Sequence, residues 1–360
     1  MISYEVQQFG TQLAKTERET PRPEGRQVLL RVLATGVCHT DIHIWQGGYD
    51  LGGGEQLSMA ARGISPPLTL GHEIVGEVLA TGPHAETVSL GRRYLIYPWI
   101  GCGTCKVCLR ETEQVCTSPR YLGIMQPGGY SDHVLVPDSR YLIDIGDMPA
   151  EQAAPYACSG LTVYSALRKI NPAVLAEEPV VIFGAGGLGL MAITLLDVLG
   201  GAGAVVVETD ATRREAAVAA GAIAAIDPLV PDFADQVKNA AGGNVWAVLD
   251  CVGAAQTVQA SLDLLVKGGQ FIQVGLLGGR IQIPTPVMPL RSISYHGSFA
   301  GSLPELQDLM TLVGQRPPLA IPTCCRPLET ASAALNDLEH GRVVGRLILQ
   351  PHQHQSSLES

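Results

Sequence analysis

Apolar positions change their spacing twice along the chain. Over about the first 150 residues, short runs alternate apolar and polar positions between glycines and prolines. These runs, at residues 29–33, 74–79, 93–97 and 133–136, predict the short strands of a β-rich domain. Residues 47–67 are glycine-rich and weakly periodic, so we interpret them as a long loop.

From residue 178 onward, short continuous apolar runs alternate with longer helical patterns. The runs predict strands at residues 179–183, 204–207, 223–226, 245–250 and 270–274, and the helical patterns lie at residues 190–199, 213–220, 233–241 and 257–266. This order predicts a doubly wound parallel sheet with helices on both faces. After residue 295 the rhythm stops, and the remaining patterns predict helices at 303–314 and 335–340 and a final strand at 346–349.

Composition adds limits to this α/β fold. The chain has 360 residues, of which 46% are hydrophobic, and this length suggests two domains. A formal net charge of -10 disfavours nucleic acid as a partner, because such binding depends on neutralising phosphates. The sequence has neither a long uninterrupted apolar run nor an export signal at its start, so we expect a cytoplasmic protein without a membrane segment.

Four closely spaced cysteines form the most specific motif. Cys102, Cys105, Cys108 and Cys116 follow the pattern C-x2-C-x2-C-x7-C. Four thiolates in one compact loop can close a tetrahedral zinc site, and a site without an open position is structural. Two disulfides or an iron–sulfur cluster are the alternatives, but a reducing compartment disfavours disulfides and iron–sulfur proteins usually show other spacings.

Three further motifs offer metal ligands at strand or helix ends. Cys38 follows the predicted strand at residues 29–33, His72 and Glu73 precede another, and Cys158 precedes an apolar helix. Taken singly, each is more typical of core packing or of a structural residue than of a ligand. Their value as ligands depends on whether the fold brings them together.

A dinucleotide fingerprint opens the second part of the chain. The motif G-x-G-x-x-G lies between a predicted strand and a helix, and Glu208 ends the next strand, where an acid bonds the ribose and repels a 2′-phosphate. NAD is therefore favoured, although Arg213 and Arg214 leave NADP open. The predicted cofactor contacts from this region are Gly184, Gly186, Gly187, Leu188, Gly189, Glu208, Arg213 and Val274.

Taken together, the chain resembles the zinc-dependent medium-chain alcohol dehydrogenases. The resemblance rests on motifs at residues 36–41, 71–73, 102–116, 158–162 and 184–189, which follow the family's order. It implies a GroES-like β-rich catalytic domain and a Rossmann NAD-binding domain. The catalytic domain would comprise residues 1–157 and 298–360, and the Rossmann domain residues 158–297 between them.

The resemblance also implies roles for individual residues. Cys38, His72 and Cys158 resemble the ligands of a catalytic zinc, with water in the fourth position, and three protein ligands are what an open site requires. Glu73 resembles the acid close behind that zinc. Asp41 resembles the carboxylate that orients the ligand His72 through its far ring nitrogen.

The remaining implied roles concern protons and phosphates. Thr40 resembles the hydroxyl that takes the alcohol proton, and His43 the surface end of the relay that runs through the cofactor ribose. His39 and Arg346 lie where the family binds the pyrophosphate. Trp45, Tyr49 and Trp99 either line an apolar substrate pocket or pack in the core.

The implied function is reversible NAD-linked oxidation of primary or secondary alcohols to aldehydes or ketones, with two zinc ions per chain. A polyol or aromatic-alcohol dehydrogenase of the same superfamily is the nearest alternative. A zinc-free quinone reductase has no use for the three ligands, and a non-catalytic protein that binds NAD and zinc has no use for a proton relay. We expect a homodimer or homotetramer acting on a small molecule.

Overall fold

The computed structural model describes residues 1–316 and 321–352, whereas residues 317–320 and 353–360 lie outside the described part. The strands are β1 Ile2–Val6, β2 Ala14–Glu17, β3 Val28–Val37, β4 Gly48–Gly52, β5 Glu55–Ser58, β6 Leu68–Thr69, β7 Glu73–Thr81, β8 Arg93–Ile96, β9 His133–Val136, β10 Leu142–Asp144, β11 Val180–Phe183, β12 Ala204–Val207, β13 Ala224–Ile226, β14 Val245–Asp250, β15 Leu265–Gln273, β16 Ser294–Gly297, β17 Thr323–Pro327 and β18 Arg346–Gln350.

The helices are α1 His39–Gln46, α2 Ala150–Ala153, α3 Ser159–Leu167, α4 Pro172–Glu177, α5 Gly187–Val198, α6 Ala211–Ala219, α7 Phe233–Ala240, α8 Ala255–Leu264, α9 Val287–Arg291, α10 Leu303–Gly314 and α11 Ala331–Glu339. Short 3-10 helices lie at Ala60–Arg62, Cys108–Arg110, Glu113–Val115, Ser139–Tyr141, Ala154–Ala157 and Leu328–Thr330. Among the described residues, no helix combines the length and apolar character needed to cross a membrane.

The first sheet belongs to the β-rich part of the chain. Its strand order is β10-β8-β7-β3-β18-β17, and β9 also pairs with β3. Strand β18, near the end of the described chain, pairs antiparallel with β3 near its start, through Ile348 and Gly36 among others. The C-terminal strand is therefore part of the first sheet. A smaller sheet, β2-β1-β6, lies beside it.

The second sheet is parallel throughout, with the order β13-β12-β11-β14-β15-β16. Strands β11 and β12 are buried along their whole length, because helices cover both faces of the sheet, and this burial explains their uninterrupted apolar sequences. The α/β fold class, with one β-rich and one doubly wound domain, is confirmed. The boundaries after residues 157 and 297 stay a prediction.

The segment at residues 47–67 differs from the long loop we expected. Strands β4 and β5 pair antiparallel there as a hairpin, and a 3-10 helix at Ala60–Arg62 follows. The hairpin turns at Gly52, Gly53 and Gly54, whose φ angles are +75°, +65° and +82°. Positive φ favours glycine, so a glycine run without apolar alternation can still form a tight turn between strands.

Candidate metal centres and cofactor cleft

The four cysteines of the C-x2-C-x2-C-x7-C motif meet in one cluster. Their sulfur atoms all lie within 4.8 Å of one another. The Cys105 sulfur is 3.4 Å from that of Cys108 and 3.7 Å from that of Cys116, and Cys102 is 3.9 Å from Cys108. These distances are too long for disulfides and close to the separation of about 3.8 Å that tetrahedral ligands have when Zn–S is ~2.3 Å. The cluster therefore fits a structural zinc.

Backbone amides support negative charge in this cluster. The Cys102 amide donates to the Cys116 sulfur at 3.3 Å, and the Cys105 amide donates to the Cys102 sulfur at 3.4 Å. Hydrogen bonds from the Thr104 backbone and hydroxyl, and from the Cys105 amide, lower the pKa of Cys102 to about 6. Such bonds stabilise thiolates, which are the form that binds metal.

A buried carboxylate attaches the cysteine loop to the rest of the domain. Glu113 accepts hydrogen bonds from the Gly101 amide and the Tyr141 hydroxyl, each at 2.8 Å, and pairs with Arg140 at 2.8 Å. Its side chain is almost fully buried. The loop is thus fixed to the β8–β10 side of the first sheet by a group that the sequence motif does not include.

The other candidate ligands also come together, from three places in the chain. Ligand atoms of Cys38, His72, Glu73 and Cys158 lie within 4.8 Å of one another. Cys38 directly precedes α1 and Cys158 directly precedes α3, so both thiols lie at helix N-termini, where the dipole favours a thiolate. The hydrogen bond with Cys158 holds the pKa of Cys38 well below its usual range.

His72 is oriented for metal binding by a buried carboxylate. Its Nδ1 lies 3.1 Å from Oδ1 of Asp41, and both side chains are fully buried. Asp41 also accepts from the Cys38 amide at 3.0 Å and from the Tyr130 hydroxyl at 3.3 Å. A carboxylate can only accept here, so Nδ1 carries a proton, and in the neutral ring, which is the form that binds a metal, the lone pair lies on Nε2. That Nε2 is buried and has no hydrogen-bond partner among the described residues, as expected for a ligand atom facing two thiols.

Glu73 connects the cluster to the cofactor side. One carboxylate oxygen accepts from the Ser159 amide at 3.3 Å, and the other forms a buried salt bridge with Arg346. Burial raises the pKa of Glu73 to about 7, although the positive charge of Arg346 acts in the opposite direction. Strand β3 approaches closely here, since a Cβ on Gly36 would lie 1.8 Å from the Glu73 carboxylate.

The glycine motif adopts the geometry that a dinucleotide requires. Gly184 has φ +90° after β11, and a Cβ on Gly189 would lie 1.9 Å from the Gly184 carbonyl oxygen. Gly186 faces open space, and a Cβ on Gly187 would lie 2.7 Å from Cδ of Arg346. Arg346 therefore comes from the first domain to the N-terminus of α5, where a pyrophosphate would bind. Leu188 lies half-buried in the same turn.

Glu208 directly follows β12, and its carboxylate is bound by backbone amides. It accepts from Ala185 at 2.8 Å and from Asp210 at 3.0 Å. Of the two arginines that follow, Arg213 donates to the Gly341 carbonyl at 2.7 Å. Arg214 donates to the Glu208 backbone carbonyl at 2.8 Å and pairs with Asp227 at 3.2 Å. None of these bonds uses the Glu208 carboxylate.

Helix α1 carries the candidate relay. Thr40 and His43 lie three residues apart on this helix, so they share a face. The His43 ring lies 4.5 Å from the Tyr49 ring between centroids. Burial lowers the pKa of His43, and the positive charge of His39 lowers it further. A neutral imidazole near pH 7 can accept a proton.

His39 is the first residue of α1. Desolvation lowers the pKa of His39, and the positive charges of Arg346 and Arg213 contribute to the shift. Val274 directly follows β15 and is buried.

Sequence reasoning missed part of an aromatic wall beside His72. The Trp99 ring lies 5.4 Å from the His72 ring and 5.4 Å from those of both Tyr121 and Phe299. Trp99 and Tyr121 are buried, whereas Phe299 is 46% exposed. Phe299 follows β16 in an aperiodic segment, so the sequence gives no signal for its position. Trp45 instead donates to the Thr11 carbonyl at 2.6 Å, away from this wall.

Comparison with known families identifies two domains. Residues 24–147 match the alcohol dehydrogenase GroES-like domain, and residues 187–315 match the zinc-binding dehydrogenase domain. The chain is 34% identical to an NAD-dependent alcohol dehydrogenase of Sulfurisphaera tokodaii, over 98% of this chain and 100% of that protein. It is 29% identical to a D-arabinose 1-dehydrogenase (NADP(+)) of Saccharolobus solfataricus, over 96% of both chains.

A solved structure shows the same architecture. The alcohol dehydrogenase of the hyperthermophilic archaeon Aeropyrum pernix superposes with a TM-score of 0.87 at 29% identity, over 98% of this chain and 100% of that chain. The chain belongs to the zinc-binding, alcohol dehydrogenase family. The predicted family, its GroES-like and Rossmann domains and its dehydrogenase class are thereby confirmed.

Proposed function

We propose that this enzyme oxidises primary or secondary alcohols to aldehydes or ketones with NAD, reversibly, at a zinc site formed by Cys38, His72 and Cys158. The observation that supports it most directly is the buried Nε2 of His72, which has no partner among the described residues and lies with two thiols within 4.8 Å. Two thiols and an imidazole leave the fourth position of a tetrahedral metal open for substrate. Zinc bound there would supply a Lewis acid for the substrate oxygen, and bound NAD would supply the hydride acceptor.

The chain's own residues perform the remaining tasks. Thr40 accepts the substrate proton at its hydroxyl oxygen as it gives up its own hydroxyl proton toward His43. The His43 imidazole, on the same face of α1, accepts a proton from this relay and releases one to solvent. Asp41 fixes the His72 ring through Nδ1, and Glu73 balances the charge of Arg346 between the two halves of the site. Cys102, Cys105, Cys108 and Cys116 hold the structural zinc.

The cofactor lies along the glycine motif. We place its pyrophosphate at the N-terminus of α5, with His39 and Arg346 as the cationic side chains, and the adenosine ribose at Glu208. The remaining contacts proposed for NAD are Gly184, Gly186, Gly187, Leu188, Gly189, Arg213 and Val274.

Glu208→Ala tests the choice of cofactor. Loss of the carboxylate removes a charge-assisted bond to the ribose and also the repulsion of a 2′-phosphate, so we expect the ratio of kcat/KM for NAD over NADP to fall by roughly 10- to 150-fold, a loss of roughly 1.5–3 kcal/mol. Glu215→Ala, on the exposed face of α6, is the matched control. An unchanged ratio would remove Glu208 from the ribose site.

The aromatic wall of Trp99, Tyr121 and Phe299 supports an apolar substrate. We expect kcat/KM to rise roughly fourfold for each methylene added to a primary alcohol until the wall is covered, because burying a methylene stabilises by about 0.8 kcal/mol. Benzyl alcohol and the sugar D-arabinose complete the panel, since one relative is named for that sugar. A higher kcat/KM for D-arabinose or polyols than for the simple alcohols would show that the proposed substrate class is wrong.

We also propose a cytoplasmic homodimer or homotetramer. All nine cysteines lie within the described residues and are unpaired thiols, which suits a reducing compartment. Strand β16 is the end strand of the six-stranded sheet, and Tyr295 on it is 39% exposed. An exposed edge of this kind offers backbone groups for pairing with a second copy. Light scattering measures the mass in solution.

A further inference from the structure

The hairpin arm, which we define as β4 and β5 with their turn, residues 48–58, connects the two domains. Its base belongs to the catalytic domain: the buried Met59 donates from its amide to the Gly47 carbonyl at 2.9 Å. Its tip lies against residues 278–280, which follow strand β15 of the parallel sheet in the Rossmann domain. The arm therefore crosses from one side of the cleft to the other.

Arg280 contacts the tip of the hairpin arm through a hydrogen bond and an ion pair. Its Nε donates to the Leu51 carbonyl at 3.1 Å, and its guanidinium pairs with Glu55 at 2.7 Å. The two side chains of this ion pair are 54% and 68% exposed, so solvent screens it and it contributes little alone. The hydrogen bond to the Leu51 carbonyl depends on direction as well as distance, so it fixes the guanidinium relative to the hairpin turn.

Glycines on both sides let the two backbones approach closely. A Cβ on Gly278 would lie 2.5 Å from the Asp50 carbonyl oxygen, and a Cβ on Gly52 would lie 2.9 Å from the Gly279 carbonyl carbon. Residues 278–280 are held in place within the Rossmann domain, since the Gly278 amide donates to the Gly253 carbonyl at 3.0 Å. One side of the tip therefore lies against residues 278–280, while residues 53–55 are exposed.

The other end of β4 reaches the relay. Tyr49, the second residue of β4, lies with its ring 4.5 Å from that of His43, at an interplanar angle of 37°. Tyr49 is half-buried, and burial raises its pKa to about 12, so the hydroxyl stays neutral beside the imidazole. The position of the His43 ring thus depends on the position of β4.

We propose that Arg280 is a positioning residue for the proton relay: it holds the hairpin arm across the cleft, and the arm holds Tyr49 against His43. This inference rests on the proposed role of His43. Arg280 lies more than two hundred residues from His43 along the chain, and it acts through the arm rather than on the substrate.

The test uses the full-length enzyme with zinc and NAD. In Arg280→Met we expect kcat to fall about tenfold, as small displacements of a catalytic group do. The NADH dissociation constant stays within about twofold of wild type, because Arg280 is not placed at the cofactor. Amide hydrogen exchange at residues 48–58 becomes faster. Arg92→Met, which breaks a similarly exposed ion pair with Asp144, is the control and changes none of these quantities.

A second variant, His43→Ala, separates the two proposals. If the arm acts through His43, Arg280→Met causes no further loss in the His43→Ala background. Equal losses from Arg280→Met in both backgrounds, or a kcat equal to that of Arg92→Met, would overturn the role of Arg280 while leaving that of His43 intact. Wild-type turnover in His43→Ala alone would instead overturn the proposed relay, and the inference with it.

Discussion

Cys38→Ala lowers the turnover of alcohols about a thousandfold or more, because the Lewis acid is worth several kcal/mol of transition-state stabilisation and loses one of its three protein ligands. The fold and the affinity for NADH stay close to those of wild type, since Cys38 lies between β3 and α1 and is not among the residues proposed to contact the cofactor. Steady-state kinetics, circular dichroism and NADH fluorescence measure the three quantities. Cys325→Ala, an exposed thiol on β17, is the control.

Cys38→Ala tests the catalytic metal site more cleanly than His72→Ala does. Removing the His72 ring takes away the imidazole partner of the fully buried Asp41, and a buried carboxylate that loses a partner destabilises the fold as well as the site. His72→Ala would then lose activity for two reasons. Full turnover in Cys38→Ala at saturating alcohol would contradict the assignment of this cluster as the catalytic metal site.

Cys105→Ala destabilises the protein instead of acting on the chemistry alone. Structural zinc binding is coupled to folding, with apparent energies of ~10–16 kcal/mol in small zinc domains. Part of this energy is lost with one of four ligands, so we expect the melting temperature to fall by about 10 °C or more. Differential scanning calorimetry measures the change.

The control for Cys105→Ala lies in the same loop. Lys106 is exposed between two of the ligands, so Lys106→Ala keeps all four thiols and should melt with wild type. A Cys105→Ala protein that melts at the wild-type temperature and loses only activity would contradict the division between a structural and a catalytic site.

Local chemistry explains what the sequence could predict. The predicted strand at residues 245–250 coincides with β14, because a strand covered on both faces must be apolar along its length. The helix predicted at 213–220 begins two residues earlier as α6, since the Asp210 side chain accepts from the Arg213 amide at 2.9 Å and so caps it. The spacing of the four cysteines and of the glycines in G-x-G-x-x-G is likewise a local property, so the sequence predicts the structural zinc site and the dinucleotide turn.

Contacts between distant residues could not be predicted in this way. The salt bridge between Glu73 and Arg346 joins residues 273 positions apart, and no periodicity in either strand indicates it. Phe299 reaches the wall beside Trp99 only because the chain returns from the parallel sheet at that point. The hairpin arm was missed because its glycine turn is stabilised by Arg280 on the other domain.

Zinc content per chain, measured by elemental analysis together with NAD-dependent oxidation of a primary alcohol during stepwise chelation, tests the two-site account most directly. We expect two zinc ions per chain, loss of turnover with removal of the first, and loss of the folded state only with removal of the second. One zinc per chain, with turnover that chelation does not reduce, would contradict a catalytic metal at Cys38, His72 and Cys158.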